Sequence, residues 1–235
     1  MKWGFFGTTL WGLFILSCYM VVQVSVVAAY IIFTHGKISE ELIGEVGNNS
    51  TAISSTVIAC LLVCGPITCG VIKLKKNSNL ADYLAFNKAS WHQIKSWALI
   101  VVGLTVLTDI FTLMLSKPIV PEFVVLVYES TTQPWLLFLA LVVAAPVFEE
   151  IFFRGFLISG FSSTFIGPIG AILISSVSWA AIHLQYDLYG IAIIFALGIV
   201  LGIARLKTNS IVVPIVMHAL VNIIAITETI FIISL

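Results

Sequence analysis

Long runs without a charged side chain dominate this sequence, and they decide the environment in which it folds. Residues 10–33 carry no charged group, and several later runs also reach the ~20 residues that span a bilayer. Only 9% of the residues are charged, against roughly 25% in soluble domains. A soluble protein of this size has too little interior for so much apolar surface. The sequence therefore predicts an all-α fold, a polytopic transmembrane bundle of about seven helices, with eight as the alternative.

The apolar runs and the polar loops between them set the expected helix limits. The loop at residues 73–95 is rich in lysine. Because cytoplasmic loops carry an excess of Lys and Arg, we expect the N-terminus on the cytoplasmic side. The fifth and sixth helices are short, which predicts that their junction, HLQYDLYG, dips into the bundle. The predicted helices cover residues 10–33, 52–72, 97–115, 135–157, 167–183, 188–204 and 211–233.

The remaining composition gives few further signals. Lys and Arg number 11 and Asp and Glu number 11, so no excess of positive charge suggests a nucleic-acid partner. The four cysteines lie in apolar runs without a C-x-x-C pair, and we interpret them as small buried hydrophobes. Asp109 and Glu228 have no partner at helical spacing and are interpreted as packing or water-facing residues.

Two adjacent acids, Glu149 and Glu150, stand inside the fourth predicted helix, in the run APVFEEIFFRGF. A carboxylate in hydrocarbon costs at least ~2.5 kcal/mol on insertion scales, so such a residue indicates a functional site. Arg154 follows Glu150 at i+4, and the two are expected to form a structural ion pair. Glu149 is rotated by about 100° from Glu150 and is predicted to face a cavity as a general base. The alternative is a charge cluster that only fixes helix packing.

Two histidines also lie in apolar runs, each with a polar or aromatic neighbour at i, i+4. His183 follows Trp179 and is predicted to bind the same water as Glu149. His218 precedes Asn222, and together they are predicted to donate hydrogen bonds to a developing oxyanion. The alternatives are a histidine that satisfies a backbone carbonyl and a polar clamp between helices.

Together these elements resemble the motifs of the CPBP family, which includes the type II CAAX prenyl endopeptidases and proteins related to bacteriocin immunity. E-E-x-x-x-R at 149–154, aromatic-x-x-x-H at 179–183 and H-x-x-x-N at 218–222 occur in the family's order. Trp179 stands where the family usually has Phe. The resemblance covers residues 134–226. It implies one transmembrane domain at 1–235, with variable helices 1–3 at 1–133 and a catalytic CPBP-like core at 134–235.

The resemblance implies an intramembrane endopeptidase of a bacterial plasma membrane. Its partners would be the bilayer and a peptide or membrane-protein substrate, with or without a prenyl group. Glu149 and His183 would activate water, while His218 and Asn222 would stabilise the oxyanion. The supporting residues would be Glu150, Arg154 and Trp179.

We expect no cofactor, and a glutamate-type hydrolysis without metal. The alternative is a zinc ion held by Glu149, His183 and His218. Two other functions compete with the protease. One is a non-enzymatic immunity or partner-binding protein of the same fold. The other is a proton-coupled transporter, which the lack of inverted repeats disfavours.

Overall fold

A computed structural model describes residues 1–234 of the chain. Their regular structure is entirely helical, without strands, which confirms the all-α prediction. Six helices are long and apolar enough to cross a membrane, and a further apolar helix is shorter, so the structure is consistent with the expected seven helices. The helices long and apolar enough to cross a membrane are α1 (Phe5–His35), α3 (Ser50–Leu74), α5 (Trp91–Met114), α7 (Pro134–Ser162), α9 (Leu188–Thr208) and α10 (Val212–Ile233), with α8 (Gly167–Ala180) between α7 and α9.

Three short helices occupy the loops: α2 (Glu40–Val46), α4 (Leu80–Leu84) and α6 (Glu122–Glu129). The first was expected to be a polar loop, and that expectation is wrong. The Ser39 hydroxyl accepts a hydrogen bond from the backbone N–H of Leu42 and so caps α2. The acids in its first turn face the positive end of the helix dipole.

Two observed helix limits differ from the predicted ones. α5 begins at Trp91, six residues before the expected start, because Ser90 and Gln93 form a capping box. α8 ends at Ala180, so His183 lies in the connection after the helix instead of on its last turn. The pattern of apolar residues located both helices, while the polar contacts set their ends.

The two ends of the bundle carry opposite charge. We call them the basic end and the acidic end. The acidic end includes Glu40, Glu41, Glu45, Glu122, Glu129 and Asp187. The basic end holds eight of the eleven Lys and Arg residues: Lys2, Lys73, Lys75, Lys76, Lys88, Lys95, Arg205 and Lys207. This asymmetry, together with the apolar helices, is that of an integral membrane protein that crosses the bilayer several times.

The connection between α8 and α9 begins at the depth of the middle of α7. A helix of 14 residues is about 21 Å long, too short for a hydrocarbon core of ~30 Å. Trp179, at the end of α8, touches Glu149 in the middle of α7. Asp187, at the start of α9, pairs at 2.7 Å with Lys117 at the acidic end. Residues 181–187 therefore cover the remaining depth without regular helix. Ile182, His183 and Tyr186 are half-buried in this segment, while the other four residues are exposed.

α7 is the central helix of the bundle. Its most apolar window is 56% buried, against 11% for α1 and α5. Phe148, Phe152 and Phe156 stack along one face of α7, with ring centroids 6.1–6.3 Å apart. Tyr19 of α1 stacks on one end of this ladder at 5.5 Å, and Tyr83 of α4 on the other at 5.9 Å. The ladder fixes the rotation of α7, and so the direction in which its polar face points.

Two segments of α7 have π-helical hydrogen bonding, Leu139–Ala144 and Glu150–Leu157. Such wide turns frequently occur at functional sites. The Ser175 hydroxyl donates to the Phe153 carbonyl at 2.9 Å, and the Asn222 amide donates to the Leu141 carbonyl at 2.6 Å. Side chains of α8 and α10 thus bond carbonyls within the wide turns, which ties α7 to both neighbours.

Asp109 of α5 and Glu228 of α10 are both half-buried, and the two helices that carry them pack against each other. The two residues are more than a hundred positions apart in the sequence, so no spacing rule for a single helix relates them.

Candidate active site

Glu149 lies at the centre of the polar face of α7 and is 8% exposed. Its Oε2 accepts a hydrogen bond of 2.5 Å from Trp179 Nε1 at the end of α8. His218 Nε2 of α10 lies 4.0 Å from the same oxygen. Three helices therefore meet at one carboxylate. Its position beside an imidazole in a largely apolar surrounding suits a group that exchanges a proton.

Glu150, the neighbouring acid, is fully buried and holds two cationic or polar partners. Its Oε1 lies 3.0 Å from Arg154 Nη1, so the ion pair expected from the i, i+4 spacing forms. The same oxygen lies 2.9 Å from His218 Nδ1. With Nδ1–H donating to Glu150, the other ring nitrogen of His218 faces Glu149. Glu150 therefore pairs with Arg154 and also orients the ring of His218. The sequence spacing indicated the pair with Arg154 but not the contact with His218.

Arg154 is fully buried and reaches beyond Glu150. Its Nη2 donates to the carbonyl of Gly198 in α9 at 3.4 Å. Its guanidinium also lies 4.3 Å from the centroid of the Trp179 ring, in a cation–π contact. A Cβ at Gly198 would come within 3.0 Å of the Ser176 side chain, so the glycine lets α9 approach α8 closely. Arg154 therefore links three helices beneath the acids.

Trp179 contacts four of the other site residues. It donates to Glu149, covers Arg154, and meets the rings of His183 and His218 edge-on at 5.3 and 5.2 Å. The sequence indicated an aromatic ring at this position but not the use of its N–H. The available signal was the indole itself, since a buried Trp N–H usually finds an acceptor.

His183 lies just beyond the end of α8 and is half-buried. Its Nδ1 lies 2.8 Å from the backbone carbonyl of Trp179. That carbonyl is an acceptor, so Nδ1 carries the proton and Nε2 keeps a free lone pair. The backbone bond is the alternative considered for this residue, and it leaves Nε2 able to bind a water or a substrate group.

Asn222 lies one turn beyond His218 on α10, beside the first π segment of α7. Its Nδ2 donates one hydrogen bond to Leu141, which leaves its second N–H and its carbonyl oxygen for other partners. An apolar recess of about 280 Å³ opens one turn further towards the acidic end. It is lined by Tyr128, Pro134, Trp135, Leu137, Phe138, Ile226 and Ile230.

Tyr186 adds an aromatic ring beside His183 that the sequence did not single out. Its ring packs edge-on against Phe123 at 4.8 Å and lies 6.2 Å from the ring of His183. Its phenolic hydroxyl can donate a hydrogen bond.

The possible metal ligands of the site are Glu149, His183 and His218. Within residues 1–234, no three His, Cys, Asp or Glu side chains are grouped so as to hold a metal ion. Both histidines bond protein acceptors through Nδ1, which leaves the Nε2 atom of each for another partner.

The fold and the site define a polytopic helical membrane protein with a buried Glu–His–Trp centre. Residues 131–224 match the family model described as "Type II CAAX prenyl endopeptidase Rce1-like". The resemblance that the motifs indicated is thus confirmed over this segment. It includes all seven predicted site residues, from Glu149 to Asn222. The matched family is one of intramembrane proteases.

One curated protein is similar to part of this chain. The "Uncharacterized 24.3 kDa protein" of Escherichia coli is 31% identical over 93 residues. The match covers 38% of this chain and 42% of the relative, so the chain spans less than half of the length of that protein. No solved structure matches the chain.

Proposed function

We propose that this protein is an intramembrane endopeptidase in which Glu149 activates a water molecule for attack on a peptide bond. The observation that carries the proposal is the local environment of the Glu149 side chain. It is a carboxylate inside an apolar helix, with Trp179 Nε1 at 2.5 Å and His218 Nε2 at 4.0 Å. A buried acid at such a position indicates function rather than packing. The match of the segment to a protease family supports the same class of reaction.

The charges of the site favour one mobile proton. Glu149 and Glu150 carry two negative charges when ionised, against the single positive charge of Arg154. One further proton makes the cluster neutral, which burial favours. The positions open to it are Glu149 and His218 Nε2, which face each other at 4.0 Å. Transfer of a proton between water, Glu149 and His218 then leaves the buried charge balanced throughout the reaction.

The reaction proceeds by two proton transfers. Glu149 takes a proton from water, and the water oxygen bonds to the carbonyl carbon of the substrate. The negative charge that develops on the carbonyl oxygen is stabilised by hydrogen bonds from protonated His218 and from the second N–H of Asn222. Collapse of the tetrahedral intermediate breaks the C–N bond, and Glu149 gives its proton to the leaving amine. His183 Nε2 orients the water.

We propose that this reaction needs no metal. The arrangement of side chains supports this, because Glu149, His183 and His218 are not grouped as a ligand set within the described chain. Zinc would act by lowering the pKa of a bound water. In the proposed site, the carboxylate of Glu149 performs that role as a general base, with Trp179 holding one of its oxygens.

The substrate is proposed to be a membrane-associated or lipidated peptide or protein. The recess one turn from Asn222 is lined mainly by apolar side chains and is large enough for a bulky side chain or part of a lipid chain. We also propose a bacterial plasma membrane with the basic end in the cytoplasm. The distribution of Lys and Arg supports that orientation.

Glu149→Gln tests the proposal. The amide has nearly the same size as the acid and still accepts from Trp179, but it cannot take a proton from water. We expect a folded, membrane-inserted protein that has lost cleavage of a peptide library that the wild-type protein cleaves. Full cleavage by purified Glu149→Gln would remove Glu149 as the base. Absence of cleavage by the wild-type protein would favour the binding-protein alternative.

A further inference from the structure

Tyr186 lies in a tight turn that begins at His183, just after α8. The backbone N–H of Tyr186 donates to the His183 carbonyl at 3.1 Å. Both of these residues are half-buried, while Leu184 and Gln185 between them are exposed. The turn therefore directs the rings of His183 and Tyr186 towards the protein. The His183 ring meets the ring of Trp179, the donor to Glu149, at 5.3 Å.

The ring of Tyr186 is held in place by three neighbours. Phe123 of α6 packs edge-on against it at 4.8 Å, and the His183 ring lies 6.2 Å away. Gly190, in the first turn of α9, leaves room for it, because a Cβ there would lie 2.9 Å from Tyr186 Cδ1. The hydroxyl is therefore positioned before a ligand binds, which lowers the entropy cost of any bond that it makes.

Two tyrosines of this region differ in what their hydroxyls bond. Among residues 1–234, the Tyr189 hydroxyl lies 2.7 Å from the Thr112 hydroxyl, while the Tyr186 hydroxyl bonds no protein group. A phenylalanine would make the same ring contacts as Tyr186, so packing does not explain its hydroxyl. A tyrosine hydroxyl in a partly apolar surrounding usually finds a hydrogen-bond partner. For Tyr186 that partner has to be a water or a substrate group.

We propose that Tyr186 is a further catalytic residue, a role that rests on the proposed endopeptidase function. Its hydroxyl donates a hydrogen bond to the water that Glu149 activates. His183, on the neighbouring ring, keeps a free lone pair on Nε2 for the same water. The water then donates one proton to Glu149 and one to His183, and it accepts from Tyr186. One lone pair of the water remains free for attack on the carbonyl carbon.

The hydrogen bond from Tyr186 gains strength during the reaction. Glu149 removes one proton from the water while the water oxygen bonds to the carbonyl carbon, and Tyr186 keeps its own proton throughout. Negative charge develops on the water oxygen as its proton leaves, and a donor aimed at that oxygen stabilises this charge. The interaction is therefore stronger in the transition state than with bound substrate, so its loss should lower kcat rather than raise KM.

Tyr186→Phe tests the proposal, because it removes the hydroxyl and keeps the ring. The purified full-length protein in detergent is assayed on the library peptide that the wild-type protein cleaves best, and its melting temperature is measured in parallel. We expect kcat to fall by about tenfold or more, the value of one hydrogen bond, with KM and the melting temperature unchanged. Unchanged kcat would overturn the proposal.

Tyr189→Phe is the matched control, because it removes a hydroxyl that already has a protein partner. It should lower the melting temperature and leave kcat close to that of the wild-type protein. An equal fall of kcat in Tyr186→Phe and Tyr189→Phe would show a general effect on this end of the bundle, and it would overturn the assignment to Tyr186.

Binding of phosphinate peptides gives a second measurement that needs no turnover. The two phosphinate oxygens stand for the carbonyl oxygen and for the oxygen of the attacking water in the tetrahedral intermediate. Tyr186→Phe should weaken their binding by about tenfold, and Tyr189→Phe should not. A wild-type protein that binds them but cleaves no peptide would contradict the proposed function, while the Kd of Tyr186→Phe would still decide the contact. Equal Kd values for Tyr186→Phe and wild type, or no binding to the wild-type protein, would overturn it.

Discussion

His218 Nδ1 and Glu150 Oε1 lie 2.9 Å apart, and this contact joins residues separated by 68 positions in the sequence. It fixes the orientation of the His218 ring, so that Nε2 faces Glu149. A carboxylate that holds one nitrogen of a histidine sets which nitrogen is free for chemistry. The second acid of the E-E motif therefore acts on the first through a histidine from another helix.

Glu150→Ala should destabilise the protein by ~3–5 kcal/mol, because Arg154 and His218 lose their common partner and a buried charge is left unpaired. Arg154→Ala should do the same from the other side. Thermal unfolding in detergent measures both. Glu150→Gln is the control that keeps the volume and an acceptor oxygen for Arg154. If Glu150→Ala and Arg154→Ala are as stable as wild type but inactive, the pair belongs to the chemistry instead.

Trp179→Phe should fold normally and cleave at least about tenfold more slowly, because Glu149 loses a hydrogen bond to its charged form. The ring over Arg154 remains. Trp179→Ala, the comparison, should also lower the melting temperature. An unchanged rate in Trp179→Phe would show that the indole N–H does not act on Glu149.

Peptidase activity should survive exhaustive chelation, because the proposed base is the carboxylate and not a metal-bound water. The measurement is cleavage by purified protein before and after chelator, with metal content determined in parallel. Stoichiometric zinc, with activity that the chelator removes and zinc restores, would contradict the proposal. His183 and His218 would then be examined as ligands.

The basic end should face the cytoplasm. Lys76→Cys at this end and Gly47→Cys at the acidic end are both exposed positions. Each is placed in a protein without the four native cysteines and treated in intact cells with an impermeant thiol reagent. Labelling is expected at Gly47→Cys and not at Lys76→Cys, because the lysine-rich loop stays inside. The reverse pattern would invert the topology, while labelling after lysis confirms that both thiols react.

The sequence by itself determined the class of fold and the chemical types in the site. Uncharged runs of membrane length leave a chain no alternative to helices, and charged groups within them are costly enough to mark function. Spacing within one helix was also sufficient for the Glu150–Arg154 pair. It failed at helix ends such as Ser39 and Ser90, where local hydrogen bonds and not apolar periodicity set the limit.

Only the tertiary structure decided which residues meet across helices. The contacts of Trp179 with Glu149 and of His218 with Glu150 each join distant parts of the chain. Their formation depends on the rotation of α7, which the stacked rings from Tyr19 to Tyr83 fix, and on its wide π turns. Helical periodicity reports which residues share a face, but not which face of another helix lies opposite, because packing of whole helices sets that relation.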